Sequence, residues 1–173
     1  MYKVTLSMPI YNVAPYVERA LLSALNQTFE SIEFLLVDDR GTDNSMDIVR
    51  RIIKDHPRGK DVRIIEHPHN IGLGATRNTA IDNAQGEYLF FMDSDDEITP
   101  DCIQVLYDKM MEEKVDFVVG SIIEVSVSGE QIRRIFNDIT SVGRMCLAEY
   151  VYMEKHTFPV MTWNKLYDFC LLY

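Results

Sequence analysis

A chain of 173 residues can bury one proper core and is short for two domains. Its 47% hydrophobic and 25% charged residues are those of an ordinary soluble globular domain, with no bilayer-length apolar run and no signal-peptide pattern at the N-terminus. A formal net charge of −10 argues against nucleic acid as a partner, and Cys102, Cys146 and Cys170, odd in number and widely spaced, argue against a disulfide framework or zinc site and fit a reducing, cytoplasmic compartment.

Short β-like runs alternate with helical patterns along the chain. Residues 3–10 read as a strand and 12–29 as a helix, with Asn12 as its cap and Val17, Leu21, Ala24 and Leu25 as its apolar stripe. A strand over 32–37 precedes a helix from about Asp43 that carries Ile48, Val49, Ile52 and Ile53 on one face. A strand over 62–66 leads to a helix running from near Gly74 to a left-handed stop at Gly86. The run 88–92 (YLFFM) is apolar without alternation, as a strand covered on both faces should be, and Thr99-Pro100 opens a helix to about Glu113. Residues 115–125 read as a fifth strand, turning at Ser128-Gly129 into 131–136. A helix is expected over 147–153, while 162–172 is ambiguous.

Strand–helix alternation over two thirds of the chain implies one domain, residues 1–173, with a mainly parallel, twisted sheet in an α/β/α sandwich. Such sheets bind ligands at the carboxyl ends of their strands. Polar residues cluster at these ends: Tyr11-Asn12, Asp38-Asp39, His67 with Asn70 and Gly72, and Asp93 with Asp95 and Asp96. An acidic chain that binds phosphates there needs a local cation and placed basic side chains.

Asp93 and Asp95, two apart on an extended chain, should project together, and paired carboxylates suit Mg²⁺ or Mn²⁺. The alternative is a solvated acidic loop before the next helix. Asp39 is expected to accept a hydrogen from a base or ribose, the alternative being that both Asp38 and Asp39 stabilise the turn that follows them. Arg77 continues the stripe Ala80, Ile81, Ala84 toward the sheet edge, where its fork can hold a diphosphate, unless it forms a structural ion pair with one of the aspartates. His67 and His69 carry no assignment. Trp163, Asn164 and Lys165 are candidates for an acceptor-sugar platform, the alternative being a tryptophan packed in the core.

Residues 5–45 (TLSMPIYNVAPYVERALLSALNQTFESIEFLLVDDRGTDNS), followed in order by NIGLGATRNTAI (70–81), GEYLFFMDSDD (86–96) and TWNKLY (162–167), closely resemble family 2 inverting glycosyltransferases of the GT-A fold. The resemblance implies transfer of a sugar from a nucleoside diphosphate donor, by default uridine diphosphate, to an acceptor hydroxyl with inversion. It implies Asp95 as the direct metal ligand beside Asp93 and Ser94 in the metal and ribose segment. It places Asp39 at the base, Pro9 and Tyr11 as the wall beside it, and Arg77 near the nucleotide. Acceptors in polysaccharide or lipid-linked assembly fit the resemblance and imply peripheral association with the inner face of a membrane. No basic amphipathic helix announces such docking.

Two departures stand out. After Asp39 the chain reads Arg-Gly-Thr-Asp where the family commonly has Gly-Ser-x-Asp. The Glu-Asp pair that usually holds the family's catalytic base is absent after residue 150, where Glu154 and Asp168 are the only acids, so the base is expected beyond Tyr173 and donor binding without turnover is expected of this chain. Other readings fit less well. A phosphoreceiver needs its acidic pair after the first strand and a lysine after the fifth. A dinucleotide-binding domain needs three glycines after the first strand, where this chain has Pro9 to Asn12. A non-catalytic nucleotide- or glycan-binding remnant shares the same donor residues.

Overall fold

The computed structural model describes residues 1–126, 128–134 and 165–169. Strands β1 (Val4–Ile10), β2 (Ile32–Asp38), β3 (Val62–Glu66) and β4 (Tyr88–Phe91) are linked through helices α1 (Val17–Leu25), α2 (Ser45–Asp55) and α3 (Leu73–Asn83). After α4 (Cys102–Glu113) come β5 (Phe117–Val119), β6 (Ile122–Val125), β7 (Gln131–Arg134) and β8 (Lys165–Asp168). The main sheet has the order β3-β2-β1-β4-β8-β5. Its first four strands are mutually parallel, as helical crossovers require, and β8 lies antiparallel between β4 and β5. The ambiguous segment near the C-terminus therefore contributes a central strand.

Helices cover both faces, giving three layers. On one face Val4, Leu6, Met8, Ile10, Phe34 and Leu36 meet the stripes of α1, α2 and α4. On the other, Leu35, Val37, Leu89 and Phe91 meet Ala80 of α3. All seven residues of β2 are buried. Strands β1 to β4 and helices α1 to α4 are present as expected with shifted ends, and the expected stripes of α1 and α2 are the buried or half-buried ones.

Three local expectations need correction. Asn12 does not cap α1, whose first turn starts at Val17. It takes a left-handed backbone (φ 52) and points its carbonyl oxygen at the next loop. Residues 115–125 are not one strand: β5 joins the main sheet, whereas β6 leaves it to pair with β7. The hairpin turn is where it was expected, with Gly129 at φ 83. α3 ends at Asn83, and Gly86 is not a left-handed stop. Glycine is required at that position because a Cβ would sit 2.5 Å from the Thr5 amide nitrogen.

α3 presents only Thr76 and Ala80 as buried residues, so apolar burial alone holds it weakly, at about 0.8 kcal/mol per methyl-sized group. Charge-assisted hydrogen bonds, about 1.5–3 kcal/mol each, carry more of its attachment. At its C-terminal end the buried Glu33 accepts Thr5 Oγ1 (2.7 Å), the Gln85 amide (2.9 Å) and Arg63 (2.6 Å). Arg63 also donates to the Asn83 carbonyl. At its N-terminal end the tie is Asp39, described below.

Candidate functional site

The sheet opens between β1 and β4. Their pairing ends at Ser7 and Phe91, the Met92 amide still reaching the Ser7 carbonyl at 2.9 Å, and then the chains part. From β1 the strands are laid outward to β3, and the chain then returns to place β4 on the other side. This gap is the topological switch point, where sheets of this kind receive ligands. Pro9 lies two residues past Ser7 and so faces the same side, where no strand remains to need the N–H it lacks. Its carbonyl accepts the buried Ser94 hydroxyl at 2.6 Å.

Side-chain hydrogen bonds run from loop to loop around this rim. Asn12 Oδ1 accepts the Thr42 amide (2.7 Å) and the Asp43 amide (3.3 Å), and Asp43 accepts the Ala14 amide in return (2.9 Å). Arg40 donates from Nε to the His67 carbonyl (2.5 Å) and from Nη2 to Glu66 (3.0 Å). Asp39 grips the start of α3, Arg77 of α3 donates to Asp93 (2.9 Å), and Ser94 closes the circuit onto Pro9. The segments that carry Asp39, Arg77 and Asp93 thus share one edge.

Asp39 is buried, 2% exposed, and its two oxygens receive four donors. Oδ1 takes His67 Nδ1 (2.7 Å) and the Ile71 amide (2.9 Å), and Oδ2 takes Asn70 Nδ2 (2.9 Å) and the Gly72 amide (2.9 Å). Burial by itself would raise its pKa, but the bonds from His67, Ile71 and Gly72 outweigh that and hold it below the ordinary carboxylate value. A base or ribose hydrogen could reach Asp39 only by sharing or displacing one of these donors. Gly72, with φ 89, lets the chain turn so that its amide points at the carboxylate.

His67 is buried as well. Asp39 is acceptor-only when ionised, so Nδ1 carries the hydrogen, while Nε2 lies 2.9 Å from Thr79 Oγ1 on α3. Sequence reasoning left this residue unassigned. The signal lay in the strand register: Asp38 pairs with Glu66, which sets Asp39 and His67 side by side one residue on. His69 is exposed.

Arg77 is the second fixed charge, about one-fifth exposed, and the structure shows the ion pair that is the alternative reading of it. It does form an ion pair with Asp93, and its Nε is buried without a partner. An unsatisfied buried donor costs about 1–3 kcal/mol, which a further acceptor at Nε would relieve. Tyr167 of β8 stands near it; burial pushes the phenol up and the Arg77 charge pulls it back.

The acidic segment differs from its expected shape. β4 ends at Phe91, and residues 93–96 form a turn with the Asp96 amide 3.3 Å from the Asp93 carbonyl. Strand alternation therefore does not set the directions of Asp93 and Asp95; the turn does. Asp95 and Asp96 are exposed residues, yet the Asp96 carboxyl is partly shut off by the turn around it. Burial, then the charges of Asp95 and Asp93, push it above the ordinary value, against a smaller pull from Arg19. Arg19 reaches across from α1, donating to the Asp95 carbonyl (3.3 Å), pairing with Glu97 (3.4 Å) and lying over the Tyr16 ring. Among the described residues no three metal-ligating side chains enclose an ion by themselves. One or two carboxylates that leave positions open for phosphate oxygens are what Mg²⁺ and Mn²⁺ commonly take.

Tyr11 stands 46% exposed after β1. Trp163 and Asn164, together with Glu154, Cys146, Cys170 and the helix expected over 147–153, lie outside the described residues. Cys102 is a free thiol pushed up to about 12 by burial. Asp168 pairs with Tyr88, the first residue of β4, and so sits at the opposite edge from Asp93, on the order of 15 Å away along the strand. Among the described residues no helix is long and apolar enough to cross a membrane.

Residues 5–168 match the profile of glycosyl transferase family 2. An uncharacterized glycosyltransferase of Haemophilus influenzae is 35% identical over 130 residues, 75% of this chain and 51% of that protein, so the chain spans about half the length of this relative. The structure of S. aureus TarS 1-349 in complex with UDP superposes on 98% of this chain and 48% of its own, with a TM-score of 0.75 and 26% identity. The mannosyltransferase PcManGT from Pyrobaculum calidifontis, in complex with GDP-Man and Mn2+, superposes on 68% of this chain and 36% of its own, with a TM-score of 0.61 and 29% identity. With its α/β/α layers, its switch-point crevice and its full-length match to one profile, the chain belongs to glycosyltransferase family 2.

Proposed function

We propose that this domain binds a nucleoside diphosphate sugar with Mn²⁺ or Mg²⁺ at the β1–β4 crevice, as the donor-binding part of an enzyme that passes the sugar, with inversion, to an acceptor hydroxyl. The observation that carries the reading is Arg77: fixed to Asp93 by one arm, with its Nε buried and unpartnered at the switch point. Uridine diphosphate is the favoured carrier because TarS, 26% identical, binds UDP, and the metal is favoured because PcManGT binds its donor with Mn2+.

In this reading Pro9 and Tyr11 flank the base, and Asp39 fixes Asn70 and the Ile71 and Gly72 amides that lead into α3 beside it. Asp93 and Ser94 face the ribose, and Asp95 holds the metal with help from Asp93. Arg77 supplies a fixed positive charge toward the diphosphate, whose negative charge grows as the sugar departs. When bound, the cation would offset part of that same charge. Trp163 and Asn164 remain the acceptor-side candidates. The base that takes the acceptor's proton is not assigned, and Asp168 is on the wrong edge for it. Glycan or lipid-linked acceptors are the class we favour, with the protein on the cytoplasmic side, peripheral to the membrane.

A calorimetric titration with uridine, guanosine and adenosine diphosphates, each with Mn²⁺ and with chelator, tests the reading. Uridine diphosphate should bind with metal and weaken strongly without it. Equal affinity for all three, or affinity indifferent to chelator, would rule the proposal out.

A further inference from the structure

Arg40 has an unusual backbone for a long side chain. Three described non-glycine residues have positive φ: Asn12, Arg40 and Lys114. Asparagine tolerates that region, and Lys114 is the left-handed cap that ends α4. Arg40, at φ 57, has neither excuse, and a strained residue persists only where its surroundings over-determine it.

Its surroundings do. The Arg40 amide donates to Asp38 Oδ1 (2.8 Å), and Nη1 lies 3.7 Å from Asp38 Oδ2. Nε and Nη2 take the His67 carbonyl and Glu66 at the end of β3, and Glu66 is steadied from its other side by Arg50 (2.8 Å). One guanidinium therefore clasps the ends of β2 and β3 together, next to the point where the His67 ring meets Asp39. Asp39 in turn holds Asn70, Ile71 and Gly72.

We propose that Arg40 is a positioning residue: through His67 and Asp39 it holds the entry to α3, and with it the base side of the rim, in shape before a donor arrives. This rests on the donor-site reading above. The side chain is 44% exposed, so its removal should leave the core intact.

Arg40→Gly relieves the left-handed strain while deleting the clasp, which separates stability from positioning. The Tm should stay within a few degrees of wild type. Affinity for uridine diphosphate with Mn²⁺ should fall about tenfold, and hydrogen exchange at the Ile71 and Gly72 amides should accelerate about tenfold. Arg40→Lys should recover little, because an ammonium cannot span three acceptors in one plane. Wild-type affinity and exchange in Arg40→Gly would overturn the proposal, as would a uniform loss of Tm and affinity. If the wild-type protein binds no uridine diphosphate, the donor reading fails by itself. The exchange rates at Ile71 and Gly72 then still decide the role of Arg40.

Discussion

Arg77 on α3 and Asp93 after β4 are joined at 2.9 Å, and this bond bridges the crevice between two segments that share no backbone ladder. It leaves one face of a planar fork unmatched. A carboxylate and a diphosphate oxygen can occupy the two arms together, which a single ammonium could not arrange. Arg77→Lys should therefore lower affinity for uridine diphosphate in the presence of Mn²⁺ by about 10- to 100-fold, or about 1.4–2.8 kcal/mol, at unchanged circular dichroism. Titration calorimetry on the two proteins checks it.

Asp96 makes the acidic turn sensitive to pH. Its folded carboxyl titrates above the ordinary 3.8, so the fold loses stability as pH rises from that value through the raised one. A divalent cation should reverse the slope, because it favours the ionised acids. Melting curves with and without Mn²⁺ between pH 4 and 7 should diverge as pH rises, and Asp96→Asn should shrink the divergence. Parallel curves would show that no cation binds at this turn.

Asp39 acts in the opposite sense. Its folded pKa lies below 3.8, so its contribution is fully present above that pH and is lost as pH falls through the lower folded value; Asp43, held down in the same way despite its burial by Ser45 and Ala14, adds to this. Asp39→Asn leaves buried donors facing an amide, and should cost about 2–4 kcal/mol at pH 7 and less below pH 3. Urea unfolding at both pH values measures the difference.

Lys165 sits on β8, 4% exposed, and burial brings its ammonium from 10.5 down to about 8. Between those values the unfolded chain holds the extra proton, so stability should climb as pH rises from 8 toward 10. Lys165→Met should flatten that climb. A variant whose stability follows the wild-type slope would show that Lys165 is not the titrating group.

Much of the fold was legible because period and punctuation agreed. The stripes of α1 and α2, the unbroken apolar run of β4 and the Ser128-Gly129 turn each point to what is observed. What escaped depends on tertiary contact. Gly86 answers to the Thr5 backbone on another strand, which no local rule for helix ends contains. Lys165–Asp168 becomes a central strand because β4 and β5 leave a slot between them. At the rim, the residue types after each strand pointed to one shared edge, where the structure does place them, but not to who bonds to whom. His67 was passed over because a loop histidine is ordinarily solvated, whereas strand register buries this one against Asp39. The directions of Asp93 and Asp95 were inferred from strand alternation two to four residues past the point where the strand had ended.

The central claim is that one cation meets one diphosphate between Asp95 and Arg77. Crystals grown with Mn²⁺ and uridine diphosphate would locate the metal by its anomalous scattering. The account predicts a peak touching the Asp95 carboxylate and a diphosphate oxygen, with Arg77 Nε bonded to that diphosphate. A nucleotide bound elsewhere on the surface, or manganese with no contact to Asp95, would contradict it.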